Sequence, residues 1–415
     1  MQAKRQVNRL ISGMVKKIAA EYAPERVILF GSHASGSAGP DSDIDLLIIK
    51  DTAERFIDRL TAVRRILSDA KRTIPLEIIV LTPGELADRL AKGDQFIAEI
   101  IENGRILYPT ETPVYGMHIP CKSPIYALSK SDEPVAKVRP GERFTVDLHD
   151  CFGGGIKSER DKYGPQYWGT VNPATGPIYI ASAAKGDILA VHIHRISVSD
   201  TGVMIVVPKM GAVGDWIRKT ETRILDIRDG CVIFGELKVP INPMIGVIGT
   251  APKGSPVPTG KPGEHGGNMD CKLISAGSTL YLPVNTEGAL LSMGDIHAVM
   301  GDGEVCVTGV ECSGTVELET SILRNTSLPT PVVETDDVIA TIASHADLDT
   351  AAHNATRKML DLLQTRFGMR RNEAAMWMSA FADLRICQVV NPLKTCRMEA
   401  PKRLLSTGMA LSIRP

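Results

Sequence analysis

The chain has 415 residues, 43% of them hydrophobic, with 47 Lys and Arg set against 48 Asp and Glu. At roughly 150 residues per domain this length implies about two to three domains and excludes a single small module. The formal net charge of -1 argues against a dedicated nucleic-acid binder, so no nucleic acid is expected as a partner. No apolar run approaches the roughly 18 residues that a membrane span needs.

The start, Met1 to Lys17, alternates basic and apolar residues, so neither membrane insertion nor secretion is expected. Eight cysteines are scattered without a C-x-x-C pair, which fits reduced thiols in the cytoplasm.

Val7, Leu10, Ile11, Met14, Val15 and Ile18 recur at three- and four-residue steps and predict an amphipathic helix. Val27 to Phe30, Ile44 to Ile49 and Leu76 to Leu81 predict strands, with a helix over Phe56 to Leu67 between the last two. Pro83 opens another helix, supplying no donor where a first turn needs none. These elements make a small α/β domain over residues 1–108.

A linker is expected over residues 109–116, where Pro109 and Pro113 bracket polar residues. Beyond it the chain becomes rich in Gly, Pro, Val and Thr. Arg143 to Leu148, Ile188 to Ile193, Val203 to Val207, Cys231 to Phe234, Thr279 to Leu282 and Val305 to Val310 read as strands. Thr350 to Phe367 and Arg371 to Phe381 read as helices, and Leu384 to Val390 as a returning strand. The expected class is a multidomain α+β chain: the small α/β domain, then a β-sandwich-rich domain over residues 117–415 with C-terminal helices.

In the first domain Gly31-Ser32 follows a strand, and Asp43-Ile44-Asp45 heads the next. Alternation puts Asp43 and Asp45 on one face, where they can hold Mg²⁺, with Glu77 as a third carboxylate from a neighbouring strand. Glycine then serine lets backbone N–H groups and a hydroxyl approach a phosphate. Gly31, Ser32, Asp43, Asp45 and Glu77, in this order, resemble the minimal nucleotidyltransferase domain. The resemblance implies nucleotidyl transfer with Mg²⁺ and ATP, with a protein as substrate partner.

In the larger domain, acids and histidines cluster on glycine-rich turns at 147–155, 263–271 and 287–304. Asp295 and His297 are one residue apart, so in an extended segment they face the same way and can share a cation. Asp150 and Asp270 from other loops complete a nitrogen and oxygen shell that suits zinc without excluding calcium. Glu304 is then the general base, and Asp302 the alternative. Alone, Asp302-Gly303 is also a common turn pair, and Cys151 and Cys271 are expected as inert buried thiols.

Six ordered motifs strengthen this reading. They are 150–152, 171–179, 243–249, 265–270, 287–304 and 384–392, and over Met117 to Pro401 they resemble the acetamidase/formamidase family. The resemblance implies metal-assisted hydrolysis of small amides such as formamide and acetamide to carboxylate and ammonia, on a β-rich fold, in a homodimer. The alternative is a nucleotidyltransferase, AMPylating a protein, with a degenerate amidase domain. A third reading makes the sandwich a non-enzymatic scaffold.

Overall fold

The computed structural model describes residues 2–24, 26–35, 38–39, 42–50, 52, 54–67, 75–108, 117–161, 164 and 169–405. The chain divides into two compact units, Met1–Pro113 and Val114–Pro415. The expected linker at 109–116 lies outside the described residues.

The smaller unit is a four-stranded sheet of β1 (Arg26–Phe30), β2 (Ile44–Ile49), β3 (Leu76–Leu81) and β4 (Arg105–Tyr108), in the order β3-β2-β1-β4. β2 and β3 run parallel, while β1 is antiparallel to both β2 and β4. One face packs against α1 (Gln2–Tyr22) and α3 (Phe56–Ile66), through Ile11, Met14, Val15, Ile18 and Val63. That burial is why the three- and four-residue spacing of α1 forms a helix: its stripe completes the core. α2 (Gly31–Ser35) follows β1 directly, and α4 (Pro83–Ala91) opens at Pro83. On the other face α5 (Gln95–Asn103) buries Ile97 and Ile100 against Leu47, Ile49 and Leu81. Asp94 caps α5 by accepting from the N–H of Ile97 at 3.2 Å.

The larger unit is built on a nine-stranded and a ten-stranded sheet. Leu189, Val191, Leu280 and Val316 of the first meet Ile245, Ile248, Leu291, Met293 and Ile296 of the second in one core. The strand Leu291–His297 is buried along its whole length, with Met244–Gly249, Ala174–Ile180 and Glu311–Cys312 as its partners. α6 (Leu348–Phe367) and α7 (Arg371–Phe381) supply a second core with the strands Val338–His345 and Lys394–Pro401.

Val305 to Val310 is a run of turns and bends rather than the expected strand. Glu304 has φ 42° and Val307 φ 140°, values an extended chain does not take, and pairing resumes only at Glu311–Cys312. That interruption turns Glu304 into the interior.

Candidate active site

A cavity of about 700 Å³ opens into the larger unit. Its walls are largely apolar, with Phe152, Val171, Ile205, Val207, Val307 and Pro392 among them, and its polar end carries Asp270, Asp295, Glu304 and Glu311. His297 lies beside these acids, 1% exposed.

The local chain geometry explains the convergence. Asp295 has φ 62°, which interrupts the pleat next to His297. Its carboxylate Oδ1 therefore comes within 3.4 Å of His297 Nε2, which also lies 3.1 Å from Glu311 Oε1. Asp270 accepts a hydrogen bond from Asn391 Nδ2 at 2.6 Å. The carboxamide of Asn268, turned so that its nitrogen faces the acids, donates to Asp270 Oδ1 at 3.0 Å and to Asp295 Oδ2 at 3.1 Å. Gly246 lies beneath both acids: a Cβ there would stand 2.6 Å from Asp270 Oδ1 and 2.7 Å from Asp295 Oδ2.

Four buried acids around one imidazole leave a surplus of negative charge. Burial, and then the Asp295 charge, push the Asp270 carboxyl up to about 7. Burial likewise carries Glu311 to about 8 against the pull of His297, and burial and Asp270 raise Glu304 well above the carboxylate range. Burial disfavours charge on His297, but Glu311 and Asp295 outweigh it and raise its pKa well above the usual value. Acids so placed must bind protons or share a cation.

The donor atoms fit a cation. Asp270, His297 and Glu304 offer ligand atoms all within 4.8 Å of one another, and so do Cys151, Asp295 and Glu311. Asp295 Oδ1, Glu304 Oε2 and Glu311 Oε2 are buried without a hydrogen-bond partner. Buried carboxylate oxygens are normally satisfied, and three in one cluster are what an ion would satisfy.

Two residues expected at the site are held by other partners. Asp150 does not line the cavity: its Oδ1 accepts from the N–H groups of Phe152 and Gly154, at 2.8 and 3.0 Å, and so shapes the turn that carries Cys151. Asp302 is held by both Nη atoms of Arg397, with Lys272 at 3.0 Å. Burial acts to raise its pKa, but Arg397 and then Lys272 outweigh it and hold the carboxyl below its usual value. An acid held ionised in this way is a poor proton carrier near neutrality.

Glu311 escaped the sequence reading, as did the parts of Asn268 and Asn391. The signal for Glu311 was present: an acid between Val310 and Cys312, at the end of an apolar run. Cys151 joins the acids as a buried thiol, whose pKa burial and then Glu311 raise well above its usual value, so it is no nucleophile as it stands.

In the smaller unit, the register places Phe30, Asp45 and Glu77 in one row across β1, β2 and β3. Burial, then Glu77 and Asp43, raise the pKa of Asp45, so the expected acids face one another. Gly31 has φ 67°, and a Cβ there would collide with Asp45 Oδ2. Glycine is needed on both counts. Ser32 is half-buried in the first turn of α2, next to this row.

Residues 131–257 and 256–405 match the sequence profile of the Acetamidase/Formamidase family. The chain belongs to this family. An acetamidase from Bacillus halodurans is 40% identical, with 69% of this chain and 98% of that one covered, at a TM-score of 0.67. A protein of Thermoanaerobacter tengcongensis described as a predicted acetamidase/formamidase is 43% identical over 70% of this chain and 97% of its own, at 0.68. The formamidase of Methylophilus methylotrophus is 26% identical over 255 residues, 46% of this chain and 62% of that protein. The curated relatives are spanned over only 16% to 62% of their own length. Residues 11–108 match the profile of a nucleotidyltransferase domain. Among the described residues no helix is long and apolar enough to cross a membrane.

Proposed function

We propose that the larger unit hydrolyses aliphatic carboxamides, formamide and acetamide among them, to the carboxylate and ammonia. The observation that carries this reading is the cluster of buried, unpartnered acid oxygens at the end of an apolar-walled cavity. Asp270 and His297, together with Asp295 and Glu311 at 3.4 and 3.1 Å from His297 Nε2, would hold a divalent metal, and zinc suits this mix of nitrogen and oxygen donors better than calcium, which prefers oxygen alone. Bound there, the metal supplies Lewis acidity towards the amide carbonyl and towards water.

The chain's own residues do the rest. Glu304, with Oε2 unpartnered, takes a proton from the attacking water and returns it to the departing nitrogen. Asn268 and Asn391 fix the Asp270 carboxylate, and Phe152, Val171 and Val307 enclose the acyl group. A cavity of about 700 Å³ exceeds what a two-carbon amide fills, so longer acyl chains are accepted as well. The family resemblance supports a homodimer, and the free cysteines support a cytoplasmic setting.

The test is ammonia release from formamide, acetamide, propionamide and butyramide by zinc-loaded protein. Turnover that Glu304→Gln abolishes is expected. No release from any of these amides, with zinc stoichiometrically bound, would falsify the reading.

A second reading applies to the smaller unit: binding of a nucleoside triphosphate with Mg²⁺ at Asp43, Asp45 and Glu77, and nucleotidyl transfer to a protein. The transverse row of acids against Gly31 supports it. Loss of labelled AMP transfer in Asp43→Ala plus Asp45→Ala, with amidase activity kept, is the expected outcome. Persistence of that transfer in the double variant sinks the reading.

A further inference from the structure

The row of acids in the smaller unit ends on an aromatic ring. Phe30 lies directly opposite Asp45 in the antiparallel pair of β1 and β2, so both side chains rise from the same face of the sheet. This is the α5 face, because Phe30 packs with Leu47, Ile97 and Ile100. At the start of α5, the Phe96 ring meets Phe30 edge-on, with centroids 5.8 Å apart and planes at 85°. Phe30 is 8% exposed, but Phe96 is 51% exposed. The next residue, Ile97, is fully buried and fixes the helix in place, so Phe96 is held out on a rigid element.

One edge of this ring packs on Phe30, and half of its surface is left to water. Its position gives it a use. Neighbouring strands lie ~4.8 Å apart, so Phe30 stands one strand from Asp45 and Phe96 one ring further out. Asp45, Phe30 and Phe96 thus follow one another from the acids to an exposed ring, the order in which a nucleotide would lay its phosphates and its base.

We propose that Phe96 is the platform on which the base of a nucleoside triphosphate stacks. The inference rests on the reading of Asp43, Asp45 and Glu77 as a Mg²⁺-triphosphate site. Every base presents a π-face, so the platform supplies affinity with little choice among bases. ATP, GTP and CTP should bind alike.

The test is calorimetric titration of the full chain with two probes in Mg²⁺: a non-hydrolysable ATP analogue, and inorganic tripolyphosphate, which has no base. In Phe96→Ala the Kd for the ATP analogue should rise about 5- to 150-fold, the range of one base–aromatic stack. The Kd for tripolyphosphate should stay unchanged, and Phe96→Trp should keep ATP affinity and report binding by its fluorescence. Equal ATP affinity in wild type and Phe96→Ala overturns the platform and leaves the phosphate site standing. Parallel loss of both probes in Phe96→Ala also overturns it, because the ring then only supports the fold. Failure of the wild type to bind either probe sinks the Mg²⁺-triphosphate reading itself, and the platform with it.

Discussion

Both Nη atoms of Arg397 hydrogen-bond to Asp302, one to each carboxylate oxygen, at 2.7 and 2.9 Å. The guanidinium is 1% exposed and also donates from Nε to Glu399 at 2.6 Å. Only Gly303 separates Asp302 from Glu304 in sequence, yet one acid is tied to a buried cation and the other faces the cavity with an unpartnered oxygen. Their variants should therefore fail in different ways.

Asp302→Asn leaves part of a buried positive charge uncompensated. Urea unfolding should show a loss of about 3 kcal/mol, because breaking a buried pair costs more than the pair contributes. Glu304→Gln should keep the fold and lose amide turnover by at least ~100-fold, the usual scale of a proton carrier. Equal losses of stability in both variants would remove the distinction.

Gly246→Ala places a methyl group 2.6 Å from Asp270 Oδ1 and 2.7 Å from Asp295 Oδ2. Strand Met244–Gly249 is fully buried, so the acids must give way rather than the backbone. Metal affinity, followed by competition with a chromogenic chelator, should fall about 10- to 100-fold, as when a residue supporting a ligand is changed. Affinity equal to wild type would mean that these two carboxylates do not hold the ion.

Removing metal with a chelator should abolish ammonia release, and zinc should restore it. Adding zinc back in weak buffer near pH 7 should release protons, since Asp270 and Glu311 otherwise titrate at about 7 and about 8. Silent pH traces during reloading would contradict the assignment.

In the smaller unit, hydrogen bonds from Arg59, with help from Thr82, lower the Glu85 pKa from 4.5 to about 2. A lowered acid stabilises the fold above its unfolded pKa and loses that contribution as pH falls through the folded value. Protection of α3 amides from hydrogen exchange should therefore decline between pH 4.5 and about 2. At an acid 43% exposed, solvent screening leaves about 1 kcal/mol. Glu85→Gln should remove that pH dependence; an unchanged profile would show that the pair contributes nothing.

Strands whose apolar residues simply fill a core were legible, and Ile44–Ile49 and Leu76–Leu81 have the bounds that their pattern implies. Helix Arg371–Phe381 likewise follows its pattern to the residue. Asp295 and His297 do lie together, but through the break in the pleat at Asp295 rather than the extended alternation that their spacing suggests. The site was not legible where distance along the chain hides a partner. Arg397 lies ninety-five residues from Asp302, and no local pattern announces their pairing. Glu311 reaches His297 only through the pairing of Glu311–Cys312 with the strand Leu291–His297. Helix α5 and strand β4 went unread because nine and four residues give too little periodicity to stand out.

The strand Leu291–His297 has no exposed residue and is flanked on both edges by other strands. Amides in such a position exchange with solvent only when the entire unit opens. Asp295 and His297 are thus anchored where breathing motions are rarest, and heat should extinguish turnover and tertiary structure at one temperature rather than in two stages.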